Sequence, residues 1–494
     1  MRLDHSRHCE RSAAIHGTGR SLWIAVTSCL AMFVLSACAG MADTPSPATL
    51  RDAASLGLPA ANSTDAMPGA QWWRSFGDPQ LNRLLETALV SNPSLKIAQA
   101  RIARAQAAVG LAQAASAAQL SAGVDATQQK FTANGLYPPP LAGSIYATGT
   151  AQLTGSWELD FFGKNRAALA AALGNARAAQ ADADAARTLL ASTVARSYFQ
   201  LLRLNDQLVL AQRSLAQRSQ ILHLVQERVN AGLDTRLELR QSEGTLPAAR
   251  LQIEILQEQM VLTRHALAAL LGQPNEALRL DETRLEAIKT GTTPMQVQSD
   301  LLGRRADIAA ARWRVEAATQ DVASAKSQFY PNVNLVAFAG FSSIGLGSLL
   351  SAGSEQWGFG PAVRLPLFDG GRLRANLRGK SAELDAAIES YNATVIDAVR
   401  DVVDQFASSQ AIERQQNEQR ATLALSQNAY AIARQRYEAG LGTTLNVLAA
   451  ETAVLNERRQ GVDLAARALD IQVSLMRALG GGYQADLTAA TAQK

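Results

Sequence analysis

One pattern is written twice in this chain, at a single offset of about 208 residues. Arg228, Ala231-Gly232-Leu233, Thr235 and Leu237 return as Arg436, Ala439-Gly440-Leu441, Thr443 and Leu445. Leu159, Gly163, Arg166-Ala167 and Leu169 return as Leu367, Gly371, Arg374-Ala375 and Leu377. Two separate motifs moved by one distance mark a duplicated structural unit. A duplication that carries long helical stretches builds an array, not a compact enzyme domain.

The helices are legible from their heptads. Val194, Leu201, Leu208, Leu215, Leu222 and Val229 recur every seven residues, with Leu190, Leu204 and Val225 on a companion seam. Two further runs are Leu239, Leu246, Ile253, Met260, Leu267 and Leu448, Leu455, Val462, Leu469, Met476. A sustained seven-residue repeat means helices that supercoil along their length. No Pro interrupts the stretch from Lys164 to Val229, which at 1.5 Å per residue is about 100 Å long. Aromatic residues make up only 5% of the chain, a bias that suits long Ala- and Leu-rich helices. Pro247 lies inside one seam and predicts a kink there. Gly232 and Gly440 end the long helices and read as turn residues at their far tips. Nearer the start, Asp78 and Pro79 spell a helix N-terminus, and Asn92-Pro93 breaks two helices apart.

Two stretches change period. Thr148, Thr150, Gln152, Thr154, Ser156 and Glu158 alternate with Ala147, Gly149, Ala151, Leu153, Gly155, Trp157 and Leu159. Strict alternation is the mark of a strand with one polar and one apolar face. Residues 120–129 alternate likewise, and Asn134-Gly135 with Pro138-Pro139-Pro140 makes the loop between. In the second half Val333, Leu335, Ala337, Ala339 and Phe341 share one face, and Trp357, Phe359, Pro361, Val363, Leu365 and Leu367 share another. Strands of about 10 residues are the length a tilted strand needs to cross a bilayer. Four such strands would leave two bare edges in lipid, so copies of the chain must complete the barrel. Three copies would give twelve strands. The polar set of the strand at 146–159 would then line a wet lumen.

The N-terminus reads as an address. Arg2, Arg7, Arg11 and Arg20 precede an apolar run from Leu22 to Leu35, the pattern of a signal peptide. The run ends in Leu35-Ser36-Ala37-Cys38, which resembles a bacterial lipobox, and Ala39 after the lipidated Cys favours the outer membrane. Removal of that segment leaves one Cys and two His, His223 and His265. A His/Cys metal cluster is excluded, and an internal disulfide is not possible. The formal charge of +4 falls to near +2 after cleavage, which offers nothing to a nucleic acid. No cofactor is expected beyond the covalent lipid on Cys38.

The expected organisation is a signal peptide over 1–37, a lipidated extended tether over 38–70, and two repeats. The first spans 71–290, with a hairpin at about 120–159 and long helices at about 164–231 and 235–271. The second spans 291–482, with a hairpin at about 332–367 and helices at about 371–439 and 443–479. A disordered tail covers 483–494. The fold class is mainly α with a small membrane β part, a coiled-coil α-barrel plus one third of a trimeric β-barrel.

Six motifs stand in order along residues 70–482. They are Trp72-Trp73 through Leu81, Trp157 through Lys164 (WELDFFGK), Asp300 through Ile308 (DLLGRRADI), Phe329-Tyr330-Pro331, Pro366 through Arg372 (PLFDGGR) and Tyr437-Glu438-Ala439-Gly440-Leu441. Together they resemble the outer-membrane factors of tripartite efflux systems, the TolC/OprM-like group, and most closely the lipidated NodT-type branch. Ala306 stands where the family's motif has a Pro. The resemblance implies a homotrimer with a 12-stranded barrel in outer-membrane lipid, a periplasmic α-helical barrel and a mixed equatorial belt. It also implies a periplasmic adaptor docking at the tips around Gly232 and Gly440, and an inner-membrane pump, with the resistance-nodulation-division class as the best match. Tyr437, Asn446 and Ala449 match the family's periplasmic constriction. The last two are acidic in the best-known members, so the acidic ring is missing here. Gln241 and Glu238 are their counterparts in the first repeat, and Glu238 or Asp234 is the candidate for negative charge in its place.

Arg304-Arg305 with Asp307 reads as ion pairing and capping at a helix start, not as catalysis. Gly370-Gly371 lacks the Lys spacing of a phosphate loop. Trp157, Trp357 and Phe359 suit either a core or an interface girdle. Three function classes follow: an exit duct for exported small molecules, a structural helical lipoprotein, and an envelope enzyme. The hairpins speak against the second, and no nucleophile–base pair or metal cluster supports the third. The cargo stays open among antibiotics, solvents, metals and metabolites.

Overall fold

The computed structural model describes residues 48–51, 69–273, 280, 283–289 and 304–483. The signal peptide, Cys38, most of the tether, the Asp300–Gly303 part of one motif and the tail from 484 lie outside the described residues. The elements are α1 (Pro79–Ser91), α2 (Pro93–Ser116), β1 (Gln119–Lys130), β2 (Ile145–Leu159), α3 (Lys164–Asn230), α4 (Arg236–Leu270), α5 (Ala306–Ser327), β3 (Asn332–Ile344), β4 (Glu355–Arg364), α6 (Arg372–Glu438) and α7 (Thr444–Ala478). The two longest helices, α3 and α6, have 67 residues each. Helix α4 runs on through Pro247 without a break. Among the described residues no helix is long and apolar enough to cross a membrane.

The chain divides into two compact units, one of residues 1–49, 115–167 and 321–386, the other of 50–114, 168–320 and 387–494. Each repeat contributes to both. The first unit holds a single four-stranded sheet in the order β1-β2-β3-β4, all neighbours antiparallel. The two hairpins are therefore joined through β2 and β3, and β1 and β4 are left as edges.

The second unit is helical, and its core gathers around the start of the folded chain. A short 3-10 turn at Trp72–Phe76 precedes α1. Trp73 and Phe76 are buried against Leu85, Phe199, Leu267 and Val473. Full burial of a Phe side chain contributes roughly 1.5–3 kcal/mol. Asp78 caps α1 as its sequence predicts, accepting from the backbone N–H of Gln80 and Leu81. Its other oxygen accepts from the Tyr198 hydroxyl at 2.5 Å. Burial, then the Asp78 carboxylate, push the Tyr198 pKa far up, so the hydroxyl stays a donor. The break at Asn92-Pro93 is also present, and Asn92 uses its side chain to donate to Leu270 O at 2.7 Å.

The long seams differ in one respect from the heptads. Val194, Leu201, Leu204 and Val225 are buried as expected. In α4 the buried seam near the tip is Ser242, Ala249 and Leu256, and in α7 it is Val447, Glu451 and Val454. Leu239, Leu246, Leu448 and Leu455 are only half-buried. At Ser242 and Ala249 small side chains let α4 approach its neighbour closely, so they take the inner seam there. The larger leucines are left on the flank.

Candidate channel wall and gate

The strand register decides which side chains share a face. Thr148, Thr150, Gln152, Thr154, Ser156 and Glu158 lie on one face of β2. Gln119, Ser121, Asp125 and Thr127 of β1 stand beside them, because Gln119 pairs with Ser156 and Thr127 with Thr148. Asn334 and Ser342 of β3 and Gln356 of β4 extend that face, which β3 also fills with Val336, Phe338 and Ile344. Gln356 donates to Gln152 Oε1 at 3.2 Å across the strand between them. That contact exists because Gly340 separates them in the register without a side chain. A Cβ at Gly340 would stand 2.2 Å from Ala151 O. Glu158, at the end of this row, forms an ion pair with Lys164 at 2.5 Å.

The opposite face is apolar along its middle, with Gln128, Lys130, Ser343 and Glu355 only at the loop end. Leu120, Ala122, Val124 and Ala126 stand against Gly155, Leu153, Ala151 and Gly149. Val333, Leu335, Ala337, Ala339 and Phe341 of β3 and Trp357, Phe359, Pro361 and Val363 of β4 fall on this same face. Leu365 and Leu367 lie beyond the end of β4. Trp357 and Phe359 are 74% and 79% exposed and stack with centroids 6.4 Å apart. Large exposed rings on a sheet face need a partner, and this sheet has no helix over them among the described residues of its chain. Trp157 donates its indole N–H to Ser116 O at 3.1 Å.

The helix tips carry the second part of the site. Helix α3 ends with Gly232 at φ 73°, and α6 ends with Gly440 at φ 76°. In both turns the next residue closes a six-residue loop, Leu233 N to Arg228 O at 2.9 Å and Leu441 N to Arg436 O at 2.8 Å. A residue with a Cβ is strained in that left-handed conformation, so each repeat keeps a Gly there.

Beyond the turns the repeats diverge. Thr235 caps α4, and Glu238 reaches back to the Thr235 N–H at 2.9 Å, a complete capping box. These hydrogen bonds, with the Thr235 hydroxyl first, hold the Glu238 carboxyl below the usual range. In α7 the matching position is Asn446, and Thr443 makes no side-chain cap bond. Asn446, Ala449 and Gln241 are exposed.

Asp234 and Tyr437, from different repeats, are brought together. The Tyr437 hydroxyl donates to Asp234 Oδ2 at 2.5 Å. Arg228 donates to the same carboxylate through Nε at 3.2 Å and Nη2 at 3.4 Å. Its guanidinium lies 4.6 Å over the Tyr437 ring, and Nη1 donates to Tyr437 O at 3.3 Å. Tyr437 is 1% exposed and packs with Ile221, Val225 and Val447. Burial, followed by the Asp234 carboxylate, pushes the Tyr437 pKa up. The Asp234 bond raises that of Arg228. The three groups thus form a charged, hydrogen-bonded clasp between the α3–α4 turn and the end of α6. Arg228 was legible only as a marker of the duplication. Its counterpart Arg436 bonds Leu441 O instead, because Gly442 stands where the first repeat has Asp234.

The remaining sequence candidates are structural. Arg305 forks onto Asp307 at 2.7 and 3.1 Å. Burial raises the Asp307 pKa, but the Arg305 bonds outweigh it and the net shift is downward. Asp369, before Gly370-Gly371, caps α6 through the N–H of Gly371 and Leu373. His223 lies on an exposed helix face 3.3 Å from Glu227. Among the described residues no group of His, Cys, Asp and Glu could hold a metal ion.

Residues 84–273 and 297–481 match the family model described as outer membrane efflux protein. The chain is 32% identical over 469 residues to the multidrug resistance outer membrane protein MdtQ of Escherichia coli, covering 92% of this chain and 97% of that one. It is 32% identical over 448 residues to the pyoverdine export outer membrane protein OpmQ of Pseudomonas putida, covering 90% and 95%. Among solved structures, the outer membrane protein VceC of Vibrio cholerae superposes with a TM-score of 0.80 at 37% identity, over 84% of this chain and all of that one.

Proposed function

The chain belongs to the outer membrane efflux protein family, and from that premise we propose that it is the passive exit duct of a tripartite efflux system. Small molecules enter from an inner-membrane pump through a periplasmic adaptor and leave to the exterior. The observation that carries this reading is the sheet: one mainly polar face, one mainly apolar face and two unpaired edges in a single chain. Open edges are not tolerated in lipid, so three chains close the barrel between them. The apolar face meets lipid, and the row from Thr148 to Glu158 lines the lumen. The half-buried leucines of the helix seams are then covered by neighbouring copies. Cys38 carries the lipid that anchors each chain.

The clasp of Arg228, Asp234 and Tyr437 holds the tips closed. Charge-assisted hydrogen bonds contribute about 1.5–3 kcal/mol each, so the clasp biases the closed packing without making it permanent. An adaptor seated on the turns at Gly232 and Gly440 opens it only by binding the dilated arrangement more tightly. Asn446 and Ala449 bring no charge to the constriction, and Asp234 and Glu238 are already engaged by Arg228 and Thr235. The gate of this chain is accordingly a clasp, not an acidic ring. Relatives named for multidrug resistance and for pyoverdine export support small organic molecules as the cargo class. A resistance-nodulation-division pump is the proposed partner. No step requires catalysis by this chain.

The test is the protein extracted from outer membranes in mild detergent and fused into planar bilayers. A trimeric mass with small conductance at rest is the expected result. A monomer without conductance would return the chain to the structural-lipoprotein class.

A further inference from the structure

The two loops at the outer end of the sheet fold to opposite faces. The β1–β2 loop, residues 131–144, turns to the polar side. Phe131 continues the polar row of β1, and its ring meets Tyr137 at 5.2 Å and Tyr146 at 6.4 Å. Tyr146 pairs with Gln129 on that same face. The β3–β4 loop, residues 345–354, does the reverse. Gly149 belongs to the apolar row of β2, and a Cβ built on it would stand 2.9 Å from Leu346 Cδ2 and 3.1 Å from Leu349 Cδ2. Both leucines therefore lie on the apolar face, over a glycine whose missing side chain leaves them room. Gly345 N donates to Ala147 O at 2.7 Å and pins the start of the loop there.

The composition of this loop fits what surrounds that face. Residues 345–354 (GLGSLLSAGS) contain no charged side chain. Leu346 and Leu350 are 50% and 77% exposed. The serines turn inward onto the loop's own carbonyls. Ser351 and Ser354 each donate to Ser348 O at 2.7 Å, and Ser348 donates to Gly345 O at 3.1 Å. A loop in water has no need to satisfy its carbonyls from within, whereas a loop against lipid does. Glu355, the first residue of β4, follows directly and is exposed on the same side. A carboxylate there places the loop near the headgroups, above the midplane of the bilayer.

We propose that the β3–β4 loop is a leucine flap bedded at the acyl–headgroup boundary of the outer leaflet. The β1–β2 loop alone, through Phe131, Tyr137 and Tyr146, narrows the outer mouth. The occupant is lipid, because the leucines continue the apolar surface of Trp357 and Phe359. This assignment rests on the barrel reading above, and the experiment separates the two.

Single cysteines replacing Leu350, Leu136 and Leu153 in the full chain carry an environment-sensitive fluorophore in reconstituted vesicles. Phospholipid with a shallow nitroxide on its acyl chain and aqueous iodide serve as quenchers. The expected result is loss of the Leu350→Cys signal to the nitroxide and of the Leu136→Cys signal to iodide. Iodide quenching at Leu350→Cys, with lipid quenching retained at Leu153→Cys, would overturn the flap and leave the barrel intact. Loss of lipid quenching at Leu153→Cys would overturn the barrel reading and the flap with it. Gly149→Val gives a second measurement. Its side chain displaces both leucines, so iodide access at Leu350→Cys should rise, and unchanged access would also count against the flap.

Discussion

Glu451 occupies the buried seam of α7 between Val447 and Val454 and is 1% exposed. Neither of its oxygens has a hydrogen-bond partner among the described residues. Arg218 Nε, on α3, is 3.8 Å away, an ion pair too long for a hydrogen bond. Burial pushes the Glu451 carboxyl up, and Arg218 lowers it only in part. A carboxyl whose folded value lies above its unfolded one, about 4.3, binds its proton more tightly in the packed state. Packing at the tips is therefore strongest on the acid side and weakens as pH rises through the folded value. Glu451→Gln should raise the melting temperature at pH 7.5 and flatten its dependence between about pH 4.3 and 7.5. A melting curve that keeps its pH dependence in the variant would exclude Glu451 as its source. Tyr437→Phe tests the neighbouring clasp. It deletes the bond to Asp234 and keeps the ring. A loss of about 1.5–3 kcal/mol, roughly tenfold or more in an equilibrium, should raise the open fraction in planar bilayers. An open fraction equal to the parent's would remove the clasp from gating.

Among the elements, the four long helices were the most legible in the sequence. Their heptads and the two Ala-Gly-Leu turns put their ends within a few residues of the observed ones. The strands were legible from alternation in β2, and less so in β3, which carries Val336 and Phe338 on the face that β2 fills with polar residues. The inner seams were not. A heptad of leucines outweighs one of Ser242, Ala249 and Leu256 in any hydrophobic count, yet the small residues are buried because they permit close approach. The clasp was half legible. Tyr437 and Asp234 each stood out, but a contact between residues about 203 apart has no local sequence signal. The repeats also predict a difference that can be engineered. Helix α4 has a capping box through Thr235 and Glu238, and α7 has Asn446 in place of the Glu. Asn446→Glu should complete the box and contribute about 0.5–2 kcal/mol to the first turn of α7. Slower amide hydrogen exchange at 444–447 would show it, and unchanged exchange would mean the tip frays for another reason.

For the molecule as a whole, a membrane wall requires that one face of the sheet meet lipid and the other water. Composition alone does not say so, since near-neutral charge and few aromatics fit many helical proteins. The register separates the two faces, because it collects Leu153, Trp157, Trp357 and Phe359 on one side and Gln152, Thr154 and Gln356 on the other. Positions 152 and 153 are neighbours in the chain and take opposite faces of the sheet. A Lys on the lipid side of an outer-membrane barrel costs about 2–4 kcal/mol near the midplane and much less in a wet lumen. Three copies multiply that difference in a single trimer. Leu153→Lys should therefore abolish the heat-modifiable trimer in outer-membrane extracts, and Gln152→Lys should leave it assembled with altered ion selectivity. Equal tolerance of both would mean that neither face touches lipid. The sheet's edges would then have to be covered by protein, and the duct would lose its membrane wall.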